Sequence, residues 1–359
     1  MNDVMADRAA FLRQISLAMA GVTILLALLF ILLVNRSIVK PINKLAAAAS
    51  SFVEMKNAGD SGPSAISQLD IHTGDEIEAL YGSIKKMEVD IDHYILHISQ
   101  ISAEKERISA ELNVATQIQA DMLPRIFPAF PEREEFDIYA TMDPAKEVGG
   151  DFYDFFLVDE DHLAVVIADV SGKGVPAALF MVIAKTLIKN HAQNQETLAS
   201  VFTQTNDQLC EGNDAGLFVT AWMGMLEIST GRFTYVNAGH NPPLFKRADG
   251  TYEWLKSRPG FVLAGMEGIR YRENTMQMEP GDRLYLYTDG VTEATNSAQE
   301  LFGEERLLNT LNEETDLTVD QLLHKVKERM EAFVGEAEQF DDITMLGLEY
   351  RGKGAGERG

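Results

Sequence analysis

The sequence has few of the residues that disulfides, thiolate metal sites and nucleic-acid binding require. Cys210 is the only cysteine among the 359 residues, which excludes an internal disulfide and a cysteine-rich metal site and favours a reducing compartment. Acidic side chains outnumber basic ones by 55 to 31, and the formal net charge is −24. Because nucleic-acid binding needs clustered lysine and arginine and no basic block is present, we expect no nucleic-acid partner.

One long apolar run stands near the N-terminus. Residues 15–34 contain no charged side chain, and a helix of about 20 residues spans the roughly 30 Å core of a membrane. A cleaved signal peptide is the alternative, but its apolar core is normally shorter and small residues follow it. Here Arg36, Lys40 and Lys44 follow. These charges predict a single transmembrane helix with residues 1–14 outside and the rest of the chain in the cytoplasm.

The segment after the apolar run has the order helix, connector, helix. Residues 37–52 are amphipathic with Pro41 in the first turn, and a connector with Gly, Ser and Pro occupies residues 57–63. A second helical pattern begins at Asp75-Glu76-Ile77. This order resembles a HAMP domain, the relay below many bacterial receptor membrane helices. The resemblance covers residues 35–91 and implies a location in the bacterial inner membrane.

The second helical pattern carries an apolar stripe that extends to about Met122. Apolar residues recur in steps of three and four at Ile77, Leu80, Ile84, Met87, Ile91, Tyr94, Ile98, Ile101, Ile108, Leu112 and Ala115. Such a stripe predicts a parallel helical bundle or coiled coil. We therefore expect a homodimer, with a coiled-coil linker over residues 92–123. The alternative is a long helix that lies on its own globular domain.

Residues 124–350 predict one globular domain that contains both strands and helices. Pro124 and Pro128 end the preceding helix, because proline disfavours its continuation. Strands are predicted at residues 136–142, 152–158, 163–168, 219–228, 232–237, 283–288 and 343–349. Helices are predicted at residues 176–193, 197–210, 304–311 and 319–334. Residues 351–359 are expected to form a disordered tail.

Aspartates stand at strand ends or in the turns beside strands. Asp151 precedes an aromatic strand, Asp169 and Asp289 follow apolar strands, and Asp341 and Asp342 precede the last strand. An aspartate there is costly to desolvate unless a cation or hydrogen-bond donors compensate. Each one alone could simply cap a turn. Several at one sheet edge, with glycine beside three of them, predict an oxygen-ligand site for Mg²⁺ or Mn²⁺.

The turn after Asp169 has a competing interpretation. A strand, the glycines Gly172 and Gly174, and a helix through Ala177 imitate a dinucleotide-binding turn. An acidic residue about 20 positions further on, at the end of a second strand, is missing. Asp169 would also repel a pyrophosphate. We therefore favour the metal site over nucleotide binding.

Five motifs together resemble the SpoIIE/RsbU branch of the metal-dependent (PPM-type) serine/threonine phosphatases. They are PAKEVGGDFYD (residues 144–154), ADVSGKGVPAAL (168–179), NAGHNPP (237–243), YTDGVTE (287–293) and DDIT (341–344). The lead-in ELNVATQIQADMLP (111–124) is also similar to the linker helix of that branch. The resemblance covers about residues 108–350. It implies an α+β fold, a β-sandwich flanked by helices (α-β-β-α), with two Mn²⁺ or Mg²⁺ ions at one end.

The resemblance also implies a role for individual residues. Asp151, Asp169 and the carbonyl of Val170 are expected to hold the first metal. Asp169, Asp289 and Asp341 are expected to hold the second, with Asp169 bridging the two. Asp342 is a secondary candidate, because the wider superfamily has Asn there. The implied mechanism is attack of a metal-activated water on phosphorus without a phosphoenzyme.

Two further residues invite a catalytic interpretation. The arginine with which relatives outside bacteria grip the phosphate is missing from this branch, and Lys146 is a candidate substitute, although a surface lysine is the simpler interpretation. His240 is a candidate proton donor, although a histidine in an Asn/Pro/Gly loop more often holds the loop in place.

The expected activity is dephosphorylation of phosphoserine or phosphothreonine on a regulatory protein. The resemblance implies an anti-sigma-factor antagonist with a STAS fold as that partner, and regulation through the membrane segment and the HAMP-like relay. The alternative is a catalytically silent dimeric scaffold that binds the phosphorylated partner. The input signal would come from the membrane or a partner, unless the chain is a piece of a longer receptor.

Overall fold

The computed structural model describes residues 2–59, 62–194, 197–314 and 316–352, with side chains from residue 11 onward. The chain divides into an N-terminal unit, residues 1–107, and a C-terminal unit, residues 108–359. Most of the predicted tail, residues 353–359, lies outside the described residues, as do residues 60 and 61 of the predicted connector.

The N-terminal unit is helical. Helix α1 (Asn2–Val34) continues through a π-helical turn (Asn35–Val39) into α2 (Lys40–Asn57), and α3 (Glu76–Met122) begins after the connector. The helical segment Phe11–Asn57 is long and apolar enough to cross a membrane, and its most apolar stretch is not buried within the protein. The structure therefore contains a candidate membrane helix where the sequence predicts one.

A small apolar core joins α2 to the start of α3. Ala48 and Phe52 of α2 are buried together with Ile66 of the connector. Lys56 forms an ion pair of 2.7 Å with Asp92, and the Tyr81 hydroxyl donates a hydrogen bond to the carbonyl of Leu69. These contacts link α2, the described residues after it and the start of α3, in the order helix, connector, helix that the sequence predicts for this segment.

The C-terminal unit is built on two five-stranded antiparallel sheets. The first sheet has the strand order β1-β10-β9-β6-β7 and the second has the order β2-β3-β4-β5-β8. The strands are β1 (Phe136–Asp143), β2 (Phe152–Leu157), β3 (His162–Val170), β4 (Val219–Glu227), β5 (Arg232–Ala238), β6 (Leu244–Lys246), β7 (Tyr252–Trp254), β8 (Asn274–Gln277), β9 (Arg283–Tyr287) and β10 (Ile343–Tyr350). The helices of this unit after α3 are α4 (Val175–Gln193), α5 (Leu198–Cys210), α6 (Asp289–Thr292), α7 (Gly303–Glu313) and α8 (Val319–Val334).

Helices cover the two sheets and leave the central strands buried on both faces. Residues Leu163 to Ala168 of β3 are apolar and almost fully buried, because β3 lies under α4 and inside the sandwich. Helix α8 buries one apolar face, with Leu323 and Val326 at its centre, against the other sheet. The result is the predicted α-β-β-α arrangement of an α+β protein.

The strand directions exclude the dinucleotide-binding alternative. Strand β3 pairs antiparallel with both of its neighbours, β2 and β4. A dinucleotide-binding turn belongs to a parallel βαβ unit, and β3 is not part of one. The turn with Gly172 and Gly174 instead connects β3 to α4 on the outside of an antiparallel sheet.

Candidate metal centre

The pairing of strands brings the predicted aspartates to one end of the sandwich. In the second sheet Phe152 pairs with Ala168, so Asp151 and Asp169 are neighbours across β2 and β3. In the first sheet Met345 pairs with Tyr287, so the segments that carry Asp289 and Asp341 leave the sheet side by side. The four carboxylates come from segments far apart in sequence, and each lies next to a buried strand.

Asp151 connects the two sheets through its carboxylate. The side chain is 2% exposed, and its Oδ2 atom accepts hydrogen bonds of 2.7 Å from the hydroxyls of Thr288 and Thr344. Thr288 follows β9 and Thr344 belongs to β10, both in the other sheet. The position of Asp151 is therefore fixed by donors from the sheet that also leads to Asp289 and Asp341.

Burial, and repulsion between neighbouring negative charges, make the ionised form of these aspartates unfavourable. Burial and then the charge of Asp169 raise the pKa of Asp151 well above its ordinary value. Burial, followed by the charges of Asp289 and Asp341, raises the pKa of Asp169 to about 7. Burial and the charge of Glu293 raise the pKa of Asp289. A divalent cation would offset these costs, because it favours the charged form of each carboxylate.

The donor set fits a hard divalent cation. Among the residues that the structure describes, no three acidic, histidine or cysteine side chains surround one point closely enough to hold an ion alone. Mg²⁺ keeps several waters as ligands, so the carboxylates would not have to complete its coordination alone. A Cβ at Gly150 would lie 2.9 Å from the carbonyl oxygen of Val170. The Val170 carbonyl therefore faces the loop that carries Asp151. It would have to do so in order to bind the same ion as Asp151.

Asp342 differs from the other aspartates in what it touches. Its Oδ1 atom accepts a hydrogen bond of 2.8 Å from the amide of Ala145, and its Oδ2 atom accepts one of 2.6 Å from the amide of Gly150. The amide of Asp151 lies 3.4 Å from the same Oδ2 atom. Both carboxylate oxygens therefore hold the backbone of the loop before Asp151.

Lys173 is a residue of the site that sequence reasoning missed. Its ammonium lies 3.1 Å from Oδ2 of Asp341, donates a hydrogen bond of 2.6 Å to the carbonyl of Phe340 and lies 3.6 Å from the centre of the Phe340 ring. Lys146, the candidate phosphate-binding residue, is exposed. The SGKG sequence indicated a turn, but the contact across 168 positions to Asp341 depends on the tertiary fold.

His240 holds a loop in place. Its Nε2 atom donates a hydrogen bond of 3.1 Å to the carbonyl of Tyr287, which leaves Nδ1 to accept the hydrogen bond of 2.9 Å from the hydroxyl of Thr220. Burial lowers the pKa of His240 to about 4. A neutral histidine with both nitrogens engaged inside the protein does not serve as a proton donor, so the simpler of the two interpretations holds.

The sequence of the chain matches a protein-family model and several known proteins. A family model described as Stage II sporulation protein E (SpoIIE) matches residues 159–351, more than half of the chain. Protein IcfG of Synechocystis is 33% identical over 268 residues, which cover 67% of this chain and 41% of IcfG. Phosphoserine phosphatase RsbU of Bacillus subtilis is 32% identical over 190 residues, which cover 53% of this chain and 55% of RsbU. The chain thus spans about half the length of these relatives.

The fold also has a close counterpart among solved structures. The SiaA-PP2C domain of Pseudomonas aeruginosa superposes with a TM-score of 0.59 at 22% identity, and the match covers 69% of this chain and 99% of that domain. At this identity the likeness supports the fold alone.

Proposed function

Because the chain belongs to the SpoIIE family, we propose that it is a metal-dependent phosphatase that hydrolyses phosphoserine or phosphothreonine on a protein. The observation that carries the proposal is the cluster of buried and partly buried aspartates at one end of the sandwich. Burial and mutual charge raise the pKa of three of them, an arrangement typical of a site completed by cations. The name phosphoserine phosphatase of the relative RsbU supports the same activity.

We assign the ligands by position in the cluster. Asp151, Asp169 and the carbonyl of Val170 would hold one Mn²⁺ or Mg²⁺ ion. Asp169, Asp289 and Asp341 would hold a second, with Asp169 shared. When bound, two such ions supply Lewis-acid stabilisation of the phosphoryl oxygens and lower the pKa of a water molecule. Asp342 is proposed as a positioning residue, because its oxygens already accept backbone hydrogen bonds.

Neighbouring residues would orient the ligands and place a positive charge near the substrate. The hydroxyls of Thr288 and Thr344 hold one carboxylate oxygen of Asp151. Because that oxygen is held, the orientation of the other carboxylate oxygen is also fixed. Lys173 places a positive charge beside Asp341 at the edge of the cluster. It is therefore better placed than the exposed Lys146 to meet a phosphoryl group that approaches the aspartates.

A cavity beside the cluster suits a protein substrate. It has a volume of about 320 Å³, and its lining includes Gly290 and Asp341 of the site together with the apolar side chains of Met330, Val334 and Phe340. An apolar residue that flanks the phosphorylated one could bind there while the phosphate reaches the aspartates. We propose a STAS-domain anti-sigma-factor antagonist as the substrate, since the resemblance to the SpoIIE/RsbU branch implies such a partner and RsbU is among the matching relatives.

We further propose that the chain is anchored in the inner membrane by one helix and regulated through its helical segments as a dimer. The apolar helix near the N-terminus supports the anchor. The small core that joins α2 to α3 supports a HAMP-like relay over residues 35–91. The apolar stripe of α3 remains exposed in one chain, at 67% for Tyr94 and 65% for Ile98, which supports a partner helix.

The proposed activity is tested by phosphate release from a phosphoserine peptide and a phosphorylated STAS-domain protein. The wild-type chain should release phosphate in Mn²⁺ and release none in EDTA. Asp289→Asn should lose at least about a thousandfold in turnover, because one ligand of the second ion is gone. A chain that binds the phosphorylated STAS-domain protein but releases no phosphate at any metal concentration would instead be the dimeric scaffold.

A further inference from the structure

The loop between β1 and β2, residues 144–151, depends on side chains from elsewhere in the chain. It leads directly to Asp151 and contains no helix or strand. Residues 148–151 of this loop are buried, and buried backbone donors and acceptors must still be satisfied. On one side the carboxylate of Asp342 accepts from the amides of Ala145 and Gly150. Side chains from the last two turns of α3 form the other hydrogen bonds that hold this loop.

The Gln119 side chain of α3 forms two hydrogen bonds with the backbone of Gly149, one as donor and one as acceptor. Its Nε2 atom donates a hydrogen bond of 2.6 Å to the carbonyl oxygen of Gly149, and its Oε1 atom accepts one of 3.0 Å from the amide of the same residue. Gln119 is 7% exposed. Because water does not replace these partners easily at a buried position, loss of the amide leaves two backbone groups of the loop unsatisfied.

Two neighbouring contacts attach the same part of the helix to the same region. The hydroxyl of Thr116, one turn before Gln119, donates to the carbonyl of Glu147. The hydroxyl of Tyr153 on β2 donates a hydrogen bond of 2.7 Å to the carbonyl of Pro124, just after the helix ends. The helix end thus holds the chain on both sides of Asp151, at Glu147, Gly149 and Tyr153.

There is little room for the loop to adopt another position. A Cβ at Gly149 would lie 2.5 Å from the Cε atom of Met142 and 2.6 Å from Oδ2 of Asp342. Gly149 is therefore confined between Gln119 on one side and Met142 and Asp342 on the other. Asp151 is only two residues further along, so the position of Gly149 limits where the Asp151 carboxylate can stand.

We propose that Gln119 is a positioning residue for the metal centre, which acts by fixing Gly149 and through it Asp151 and Gly150. The inference rests on the proposed function, because it takes the aspartate cluster to be a Mn²⁺ or Mg²⁺ site. Groups that orient a metal ligand typically contribute a factor of 10–100 in metal affinity when they are removed. Gln119 should contribute a factor in that range without touching metal or substrate.

The test is the Mn²⁺ dissociation constant of the full 359-residue chain, purified in detergent micelles and measured by isothermal titration calorimetry. Gln119→Met keeps the length and packing of the side chain but removes both hydrogen bonds. Gln119→Glu keeps the shape but places a carboxylate oxygen against the Gly149 carbonyl. Both variants should bind Mn²⁺ about tenfold or more weakly than wild type. Gln117→Ala is the control, since the exposed side chain of Gln117 donates a hydrogen bond to Asp121 of its own helix and lies away from the loop.

If Gln119 only stabilised the fold, its substitution would lower the thermal unfolding midpoint and leave the Mn²⁺ dissociation constant of the folded chain unchanged. We expect the Mn²⁺ dissociation constant of the folded variants to rise whether or not the unfolding midpoint falls, with turnover recovered to within about twofold at saturating Mn²⁺, because the catalytic groups themselves are intact. If either folded Gln119 variant binds Mn²⁺ within twofold of Gln117→Ala, the inference is wrong. A wild-type chain that binds Mn²⁺ but hydrolyses no phosphoprotein would overturn the proposed activity and leave the affinity comparison to decide the role of Gln119. A wild-type chain that binds no Mn²⁺ would overturn both.

Discussion

At the scale of single residues, the clustered aspartates could be predicted from the sequence, but the side chains that hold the loop before Asp151 in place could not. Asp169 and Asp289 stand out in the sequence because each comes after an apolar run and shortly before a glycine. The role of Asp342 is different, because it depends on the amides of Ala145 and Gly150 about 190 positions away. Gln119 belongs to a helix pattern in which a polar residue simply indicates solvent. Only the tertiary contacts distinguish these residues from ordinary surface side chains.

The buried His240 predicts a pH dependence of stability. Its pKa is lowered from 6.5 to about 4 in the folded chain, so the unfolded chain takes up a proton first as the pH falls. The stability that the neutral histidine contributes is complete above pH 6.5 and is lost as the pH falls towards about 4. Between pH 7.5 and pH 5 this loss is about 2 kcal/mol.

His240→Gln tests this dependence, because glutamine does not titrate. Urea unfolding at pH 7.5 and pH 5 gives the free energy of unfolding of each chain. The variant should be less stable at pH 7.5, since the hydrogen bonds to Thr220 and Tyr287 are disturbed, but its stability should fall by about 2 kcal/mol less than that of wild type on acidification. An equal fall in both chains would mean that His240 does not titrate as described.

At the scale of elements, the long strands and helices could be predicted and the short ones could not. The seven predicted strands all occur, with ends within two residues of the predicted ones, and the predicted helix at residues 319–334 is α8. Strands β6 and β7 have three residues each and β8 has four, too few for an alternating pattern to be recognised. Helix α6 also has four residues, Asp289–Thr292, and its sequence indicates only a turn.

The apolar stripe of α3 predicts a parallel dimer. Tyr94, Ile98 and Ile101 are more than half exposed in one chain, and an apolar stripe on a helix requires a partner surface in water. Sedimentation of the purified chain in density-matched micelles should give a dimer. Ile98→Asp should shift it towards monomer, since a charge in the seam is costly to bury. Glu106→Asp, a conservative change at an exposed position of the same helix, should remain a dimer; equal dimerisation of Ile98→Asp would contradict the prediction.

The contacts of the linker suggest a route of regulation. The hydrogen bonds of Thr116 and Gln119 connect the end of α3 to the loop before Asp151. One residue inserted after Ser102 rotates the following helix by about 100°, and seven inserted residues keep the heptad phase. The first insertion should change the basal rate of phosphate release and the second should largely preserve it. Equal rates in both would mean that the helix is only a tether.

At the scale of the whole molecule, the metal should determine stability as well as activity. The ionised cluster is unfavourable because burial and the charges of Asp289 and Asp341 raise the pKa of Asp169. A ligand that binds only the folded chain stabilises it by about 2.7 kcal/mol at a hundred times its dissociation constant. Mn²⁺ should therefore raise the thermal unfolding midpoint of wild type. Asp169→Asn should be at least as stable as wild type in EDTA, since one repelling charge is removed, but should gain little from Mn²⁺.

The central claim is that the clustered aspartates form one centre for two divalent cations, with Asp169 shared between them. The most direct test is the number of Mn²⁺ ions bound per chain, measured by calorimetric titration of wild type and of Asp169→Asn, with circular dichroism to show that both are folded. Wild type should bind about two ions at this centre, and the variant should bind neither with comparable affinity, because both ions lose a ligand. Two ions bound to Asp169→Asn with the affinity of wild type would contradict the account.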